Sequence, residues 1–332
     1  MIADAAHGPI DKCCGEGLLP DGAVALRELG VAFPSITPRF HGIDFIDGAI
    51  RARGCFSSGP AFGLRRTVLH TLLHEAAVRV GVDCLSGTRV TGLSGTNGVR
   101  LDRTSIRARW IIGADGRHSR IRHWAGLGAG RIHGSGRRFG FRRHFEIAKE
   151  PSHVEVHWAA GFQVFVTPIG PKQVNVAVTT HDASFRLHHA LANLPALRER
   201  LGKPASREMG APTGTSIVPS IVAGNVALVG DASGAVDSIT GQGLNLAFRE
   251  AQSLVRAAVA GDLQQYAREH RMMTAVPRRI AGTLLLLADH RWFRQGMLRT
   301  LSAQPWIFSQ MLAVHANACA SYGGAAAKRR II

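Results

Sequence analysis

Sixteen consecutive residues, Gly230 to Asn245 (GDASGAVDSITGQGLN), constrain the fold of this chain more than any other stretch. Ahead of them, Asn225 to Val229 (NVALV) is a short, apolar, β-branched run of the kind that makes a buried parallel strand. Behind and within them, Leu244, Ala247, Phe248, Ala251, Leu254 and Val255 recur at helical spacing, so the order is strand, glycine-rich loop, amphipathic helix. That order aims free backbone N–H groups and the positive end of a helix dipole at whatever lies above the strand. Asp231, a carboxylate at the strand tip, suits a polyol hydroxyl, and glycines at 241 and 243 let a large planar or phosphorylated ligand approach the backbone.

A second strand-to-helix turn lies upstream. Trp110 to Gly113 reads as a buried strand, and Gly113-Ala114-Asp115-Gly116 turns into a helix carrying Ser119 and Arg122. Together the two turns resemble the FAD-dependent hydroxylase and geranylgeranyl-reductase superfamily. Its second FAD motif opens Gly-Asp-Ala and closes Gly-x-Gly-Leu-Asn with the spacing found here, and its middle motif, Asp-Gly-x-x-Ser-x-x-Arg, matches from Asp115 to Arg122. Where aromatic hydroxylases carry His and Pro, this chain has Gly234 and Asp237, which is more similar to the geranylgeranyl-reductase branch. The resemblance implies a fold like that of para-hydroxybenzoate hydroxylase, with FAD as cofactor and NADPH or NADH as electron donor. It implies FAD contacts from Asp115, Gly116, Gly230, Asp231, Gly241, Gln242, Gly243, Leu244 and Asn245, with Asp115 bonding the backbone across its own loop. Arg66 takes the place of a cofactor-contacting Arg or Gln ahead of a helix. Asp4 resembles the acid that ends the second strand and holds a ribose. Cys14, Gly15 and Glu16, with Asp11, Lys12 and Gly17, match a segment running past the flavin, and Glu16 is the one candidate catalytic residue.

The first strand, its GxGxxG turn and its helix have no counterpart in the sequence. A start upstream of Met1, a short protein that binds FAD weakly or not at all, and a fold completed by another chain are the three readings, the first preferred. The expected fold class is therefore α/β (α+β): a Rossmann-like FAD-binding domain lacking its first βα unit, an antiparallel β-sheet substrate domain and C-terminal helices. The expected FAD-binding domain is discontinuous (1–36, 60–132 and 205–275). The substrate domain takes 37–59 and 133–204, and a C-terminal helical segment takes 276–332.

Periodicity fills in the rest. A helix is expected from Leu18 to Leu29, stopped by Gly30, and a hairpin from Phe40 to Phe56 around Asp47-Gly48. Arg65 and Arg66 open a helix whose stripe is Val68, Leu69, Leu72, Leu73, Ala76, Ala77 and Val80, stopped by Gly81. Strands follow near 88–93 and 99–101. From Phe139 to Thr180, four alternating runs predict an antiparallel sheet with one wet face, its covered face a roof lined by Trp158, Phe162 and Phe165. A helix over 185–201, a strand at 215–219, and helices over 262–270 and 280–318 complete the reading, with a frayed tail ending KRRII.

A formal charge of +17 and a pI near 11.2 would suggest nucleic acid in another chain. Here the basic residues are scattered arginines, which favours anionic ligands or acidic lipid surfaces, so nucleic acid is not expected and peripheral membrane contact is. Five cysteines without paired spacing imply neither a disulfide framework nor a zinc site, and His144, His153, His157 and His181 show no ligand spacing. No secretory leader or bilayer-length apolar run is seen, so a cytoplasmic protein is expected. Of the enzyme readings, an NAD(P)H-dependent flavin monooxygenase of an apolar or aromatic small molecule ranks first. A flavin reductase of isoprenoid double bonds is the alternative, and a non-catalytic remnant with impaired FAD binding is the third.

Overall fold

A computed structural model describes residues 1–132 and 137–317, with the side chains of 131 and 132 left aside. The end of the last expected helix at Ala318 and the KRRII tail lie outside the described residues.

Ile2–Asp4 (β1) enters first, followed by helix Pro20–Glu28 (α1), hairpin strands Gly42–Asp47 (β2) and Ile50–Cys55 (β3), and helix Arg66–Arg79 (α2). Short strands Cys84–Ser86 (β4) and Ile111–Gly113 (β5) and helix Arg120–Trp124 (α3) follow. Next come Arg138–Ile147 (β6), Val154–Ala159 (β7), Phe162–Gly170 (β8), Gln173–Thr180 (β9) and Val226–Leu228 (β10). The long C-terminal helices are Gly243–Ala260 (α4), Leu263–Asp289 (α5), Arg291–Ala303 (α6) and Pro305–Ala316 (α7).

The first layer is a sheet in two pieces, each built on a parallel pair of strands. β1 runs parallel to β4, with Asp4 opposite Ser86, and β5 runs parallel to β10, with Gly113 opposite Leu228. No described strand joins the pairs, and Ile2 and Ile112 stay half exposed. The expectation that Trp110 to Gly113 is fully buried is corrected at Ile112 for that reason. Beneath β5 and β10 lies an apolar cluster of Ile111, Ile121, Leu228, Leu254 and Tyr266. α1 is clamped to α4: Arg249 bonds Asp21 and, at 2.7 Å, Glu28, and a Cβ on Gly22 would lie 2.2 Å from Asn245 Oδ1.

The second layer is a sheet of eight strands. Along its path, Leu201–Pro204, β6, β9, β8, β7, β2 and β3 are neighbours, and Met209–Thr213 also pairs with β6. It is antiparallel except where β7 meets β2, with Val154 opposite Ile43. One face carries Val164, Val166, Val174, Val176 and Val178, closed by Leu187 and Leu197. The other carries Phe45, Val156 and Trp158 at one end, closed by Leu298, Phe308 and Leu312 of α6 and α7.

Several expectations change here. No face is wet: Arg138, Arg142, His144, Gln163, Asn175 and Thr179 are buried because acids and loops from elsewhere in the chain cover them. Phe162 does not share a face with Phe165. They are three residues apart on a strand whose side chains alternate, and Phe162 packs on Phe185 at 4.9 Å. Trp158 is core, set edge-on to Phe45 at 5.4 Å. On α2 only Leu69 of the expected stripe is buried, because Leu73 and Ala77 line a cavity of about 160 Å³ against β1 and β4. The helix expected over 185–201 is two short ones, Leu187–Ala192 and Pro195–Arg200, broken where Pro195 starts a new turn. The strand near 215–219 is only Ser216–Ile217 and pairs with Gly234–Ala235 rather than returning to the parallel sheet. α5 runs unbroken through Pro277, since Met273, Thr274, Pro277 and Ala281 are buried together and packing outweighs the lost backbone hydrogen bond.

Candidate flavin site

Two loops leave the same edge of the parallel sheet. β5 and β10 are in register, and Val229 N–H donates to Gly113 O at 3.0 Å, so the Asp115 and Asp231 loops emerge side by side at the strands' carboxyl ends. That edge is where open α/β sheets bind ligands. Asp115 Oδ2 accepts the N–H groups of Arg120 at 2.7 Å and Ile121 at 3.1 Å, and Ser119 Oγ accepts that of Arg122 at 2.9 Å. Buried Arg122 then joins the loops, donating to Ala232 O at 2.9 Å and Arg117 O at 2.8 Å. Gly116, at φ 83°, supplies the left-handed turn between them.

Asp231 accepts no hydrogen bond from the described residues and is open to solvent at the floor of a crevice. Crowding by surrounding protein raises its pKa, opposed by the nearby cations Arg117, Lys12 and Arg66. Lys12 and Arg66 act on both Asp231 and His70, and Asp4 acts on His70, so these charges share one neighbourhood. Asp4 lines the cavity between α2 and β4, and Asp231 lines a second one with Gly230 and Gly243. The Asp231 loop is held from below: Glu250 Oε2 accepts Gly230 N–H at 2.7 Å and Ser233 Oγ–H at 3.1 Å, and Tyr266 Oη–H donates to Leu228 O at 2.7 Å.

Downstream, Asp237 caps a turn over Ser238–Thr240, accepting Ile239 N–H at 2.9 Å, and Gly241 at φ 65° swings the chain into α4. A Cβ on Gly15, Gly241 or Gly243 would meet nothing within 4 Å, so three separate glycines face open space. The first N–H groups of an eighteen-residue helix, from Gly243 onward, lack helical acceptors there. The side chains of Gln242 and Asn245 point inward. Gln242 Nε2 donates to His315 O at 2.5 Å and Asn245 Nδ2 to Gln242 Oε1 at 3.2 Å. Leu244 packs beside Leu26 and Phe248. Only the backbone of 241–245 is therefore free for a ligand.

The Asp11–Gly17 segment is fastened under the antiparallel sheet. Arg142 Nη2 meets Asp11 Oδ1 at 2.5 Å, Asn175 Nδ2 donates to Cys14 O at 2.7 Å, and Cys13 Sγ–H to Gly140 O at 3.4 Å. Glu16 is buried with a left-handed backbone at φ 58°, unusual for a residue with a side chain. Its Oε1 accepts Arg66 N–H at 3.0 Å and its Oε2 meets His144 Nε2 at 2.7 Å. Arg65 Nη2 lies 3.2 Å from His144 Nδ1. A guanidinium can only donate, so Nδ1 accepts and Nε2 carries the hydrogen shared with Glu16. Burial pushes the Cys13 thiol up to about 12 and raises that of Cys14, so both are protonated at neutral pH and neither is a ready nucleophile.

The sequence reading set His144 aside as a metal ligand and did not single out Arg138 or His315. Arg138 bonds Asp237 at 2.7 Å, Gln163 at 2.6 Å and Thr179 at 2.9 Å inside the protein. Its signal was available: Arg138, Arg142 and His144 alternate on one face of a strand otherwise rich in Phe. Among the described residues no group of three or more His, Cys, Asp or Glu could hold a metal.

The donors fit the flavin half of FAD. Open glycines, the amides of a helix start and an unpartnered acid suit the ring and its polyol, while a glycine turn for the pyrophosphate is not among the 332 residues.

Comparison with known proteins gives the same reading. The chain is 25% identical over 310 residues to a menaquinone reductase of Mycolicibacterium smegmatis, covering 80% of this chain and 72% of that one. It is 26% identical over 198 residues to a digeranylgeranylglycerophospholipid reductase of Methanocella arvoryzae, covering 55% of this chain and 50% of that one. Among solved structures, a flavin-dependent brominase superposes with a TM-score of 0.81 at 16% identity, covering 98% of this chain and 89% of that one. A probable FAD-dependent monooxygenase of Pseudomonas aeruginosa superposes with a TM-score of 0.68 at 19% identity, covering 93% and 91%. At those identities the structures speak for the fold alone. The FAD binding domain pattern matches residues 56–282, more than half of the chain, and the chain belongs to that family of FAD-dependent oxidoreductases.

Proposed function

We propose that the protein is a flavin-dependent reductase of carbon–carbon double bonds in an apolar, isoprenoid-like chain, with NADPH or NADH supplying the electrons. The observation that carries this reading is the pair Gly234 and Asp237, where aromatic hydroxylases have His and Pro. Gly234 sits at φ 123°, and a Cβ there would lie 2.9 Å from Ser216 O, so the hydroxylase-type His has no room. Asp237 is buried against Arg138. The curated relatives named above are reductases, which favours the same branch.

Bound FAD would supply hydride chemistry; the protein supplies placement, charge and protons. The N–H groups at the start of α4 would stabilise the negative charge a flavin ring gains on two-electron reduction. Asp231 would hold the polyol and Asp4 a ribose. Saturating one double bond needs one hydride and one proton, and Glu16 with His144 is the buried pair available to handle that proton beside the crevice.

The monooxygenase reading predicts a different product. Supplying flavin, reduced nicotinamide and a polyprenyl quinone without oxygen should give a product heavier by two hydrogens per bond reduced. Oxygen-dependent turnover that places an atom of labelled O₂ in the product would replace the reductase by the monooxygenase. A purified chain that takes up no FAD would support the remnant.

A further inference from the structure

We propose that α6 and α7 form a docking surface for an anionic lipid bilayer. α7 (PWIFSQMLAVHA) carries no Asp, Glu, Lys or Arg although it lies on the outside of the protein. Its inner side, Phe308 and Leu312, packs with Leu298 and Leu301 of α6 on the β2–β3 hairpin. Its outer side is largely apolar as well, with Trp306 65%, Val314 62% and Met311 46% exposed around the exposed Gln310. α6 adds Trp292, 79% exposed, in ring contact with the half-exposed Phe293 at 6.0 Å. A helix without a formal charge and with a largely apolar outer side leaves that side unpartnered, and exposed tryptophans at such a face suit the lipid–water boundary. Among the described residues no helix is long and apolar enough to cross a membrane, and the contact proposed is a peripheral one.

Charge identifies the occupant. Asp289 is the last acidic residue, while Arg291, Arg294, Arg299, Lys328, Arg329 and Arg330 follow it. Arg294 is committed to Asp47 at 2.7 Å. Arg291 and Arg299 are exposed, and neither forms an ion pair with a described residue. A second copy packed on the same face by a twofold axis would set arginine against arginine with no acid in the 291–316 segment to answer it. A surface of anionic headgroups answers the arginines and buries the tryptophans together. The inference stands on this surface alone and not on the reductase reading.

The test uses the full chain and vesicles without substrate: phosphatidylglycerol mixed with phosphatidylcholine, against phosphatidylcholine alone. Co-sedimentation with the anionic vesicles is expected, with quenching of tryptophan fluorescence by brominated lipid. Arg291→Gln and Arg299→Gln should each lower partitioning about five-fold at low salt, and Trp292→Ser with Trp306→Ser should abolish the quenching. All four side chains lie on the surface, so an unchanged far-ultraviolet spectrum verifies folding. Three outcomes overturn the proposal: no preference for the anionic vesicles, binding lost only when Lys328, Arg329 and Arg330 are replaced, or a lipid-free dimer that the tryptophan variants dissociate. Each is readable whether or not the protein reduces any substrate.

Discussion

Replacing His315 with glutamine should flatten the acid limb of the protein's stability curve. His315 lies on α7, its Nε2–H donating to Thr240 O at 2.8 Å and its backbone oxygen accepting from Gln242 Nε2, so this one residue fastens both ends of the Thr240–Gln242 turn. Burial holds its pKa down to about 4, below an ordinary 6.5. The folded state therefore binds fewer protons than the unfolded chain below pH 6.5. Stability from this group is complete above that value, falls as pH drops from 6.5 to 4, and changes no further below 4. The gap corresponds to about 3 kcal/mol in full and about 2 kcal/mol by pH 5. Protonation would also place a new Nδ1–H against the Gln242 amide nitrogen 3.4 Å away, loosening the turn that carries Gly241. Urea unfolding at pH 7 and pH 5 measures the effect. The wild type should lose about 2 kcal/mol more than His315→Gln over that interval, and its FAD affinity should fall with it. Parallel losses in the two proteins would show that His315 is not the buried neutral group described.

Three further perturbations test the contacts made on and around the antiparallel sheet. Arg138→Leu strands the Asp237 carboxylate inside the protein and should cost about 3–5 kcal/mol, read by urea denaturation; a loss under about 1 kcal/mol would mean that the pair is open to water. Glu16→Gln keeps an acceptor for Arg66 N–H but removes the charge facing His144. If the pair handles the proton, kcat should fall on the order of 100-fold with the flavin spectrum unchanged, whereas a merely structural role would move the spectrum and leave kcat within a few-fold. Gly63→Ala should destabilise by about 3 kcal/mol or more, because its Cβ would fall 1.5 Å from Pro168 O, a backbone atom with little freedom to yield; a normal thermal midpoint would refute that close approach.

What could be read from the sequence was local. The Asp115 and Asp231 turns, the Asp47-Gly48 hairpin and the four strands after Arg138 each declare themselves within about twenty residues, because backbone sign, capping and side-chain alternation are short-range properties. The roof was misread on one of those same properties, since Phe162 and Phe165 differ by an odd number of positions and cannot line one face. Pro277, in the gap between the helices expected over 262–270 and 280–318, lies inside α5 for the opposite reason. Its local cost is real, but α5 is buried along Met273, Thr274 and Ala281, and that packing is a property of the assembled molecule. The partners of Glu16 and Arg138 were beyond reach, lying 128 and 99 positions away with nothing local to announce them.

Those long-range pairs explain why a sheet expected to be wet is buried on both faces. Arg138, Arg142 and His144 share one face of β6, four and then two residues apart, and each meets an acid from a loop: Asp237 four residues ahead of Gly241, then Asp11 and Glu16 from the N-terminal segment. Successive same-face positions on a strand are about 7 Å apart. β6 thus sets the Asp237–Gly241 turn and the Glu16 segment at a fixed separation, though the two lie more than two hundred positions apart in the chain. A slip of β6 by one residue would turn all three basic side chains into the valine-lined layer and leave three acids unpaired. Buried ion pairs return little net stability once desolvation is counted. Their use here is in register, since a planar ligand held by one loop and approached from the other needs that separation kept to within a fraction of an ångström.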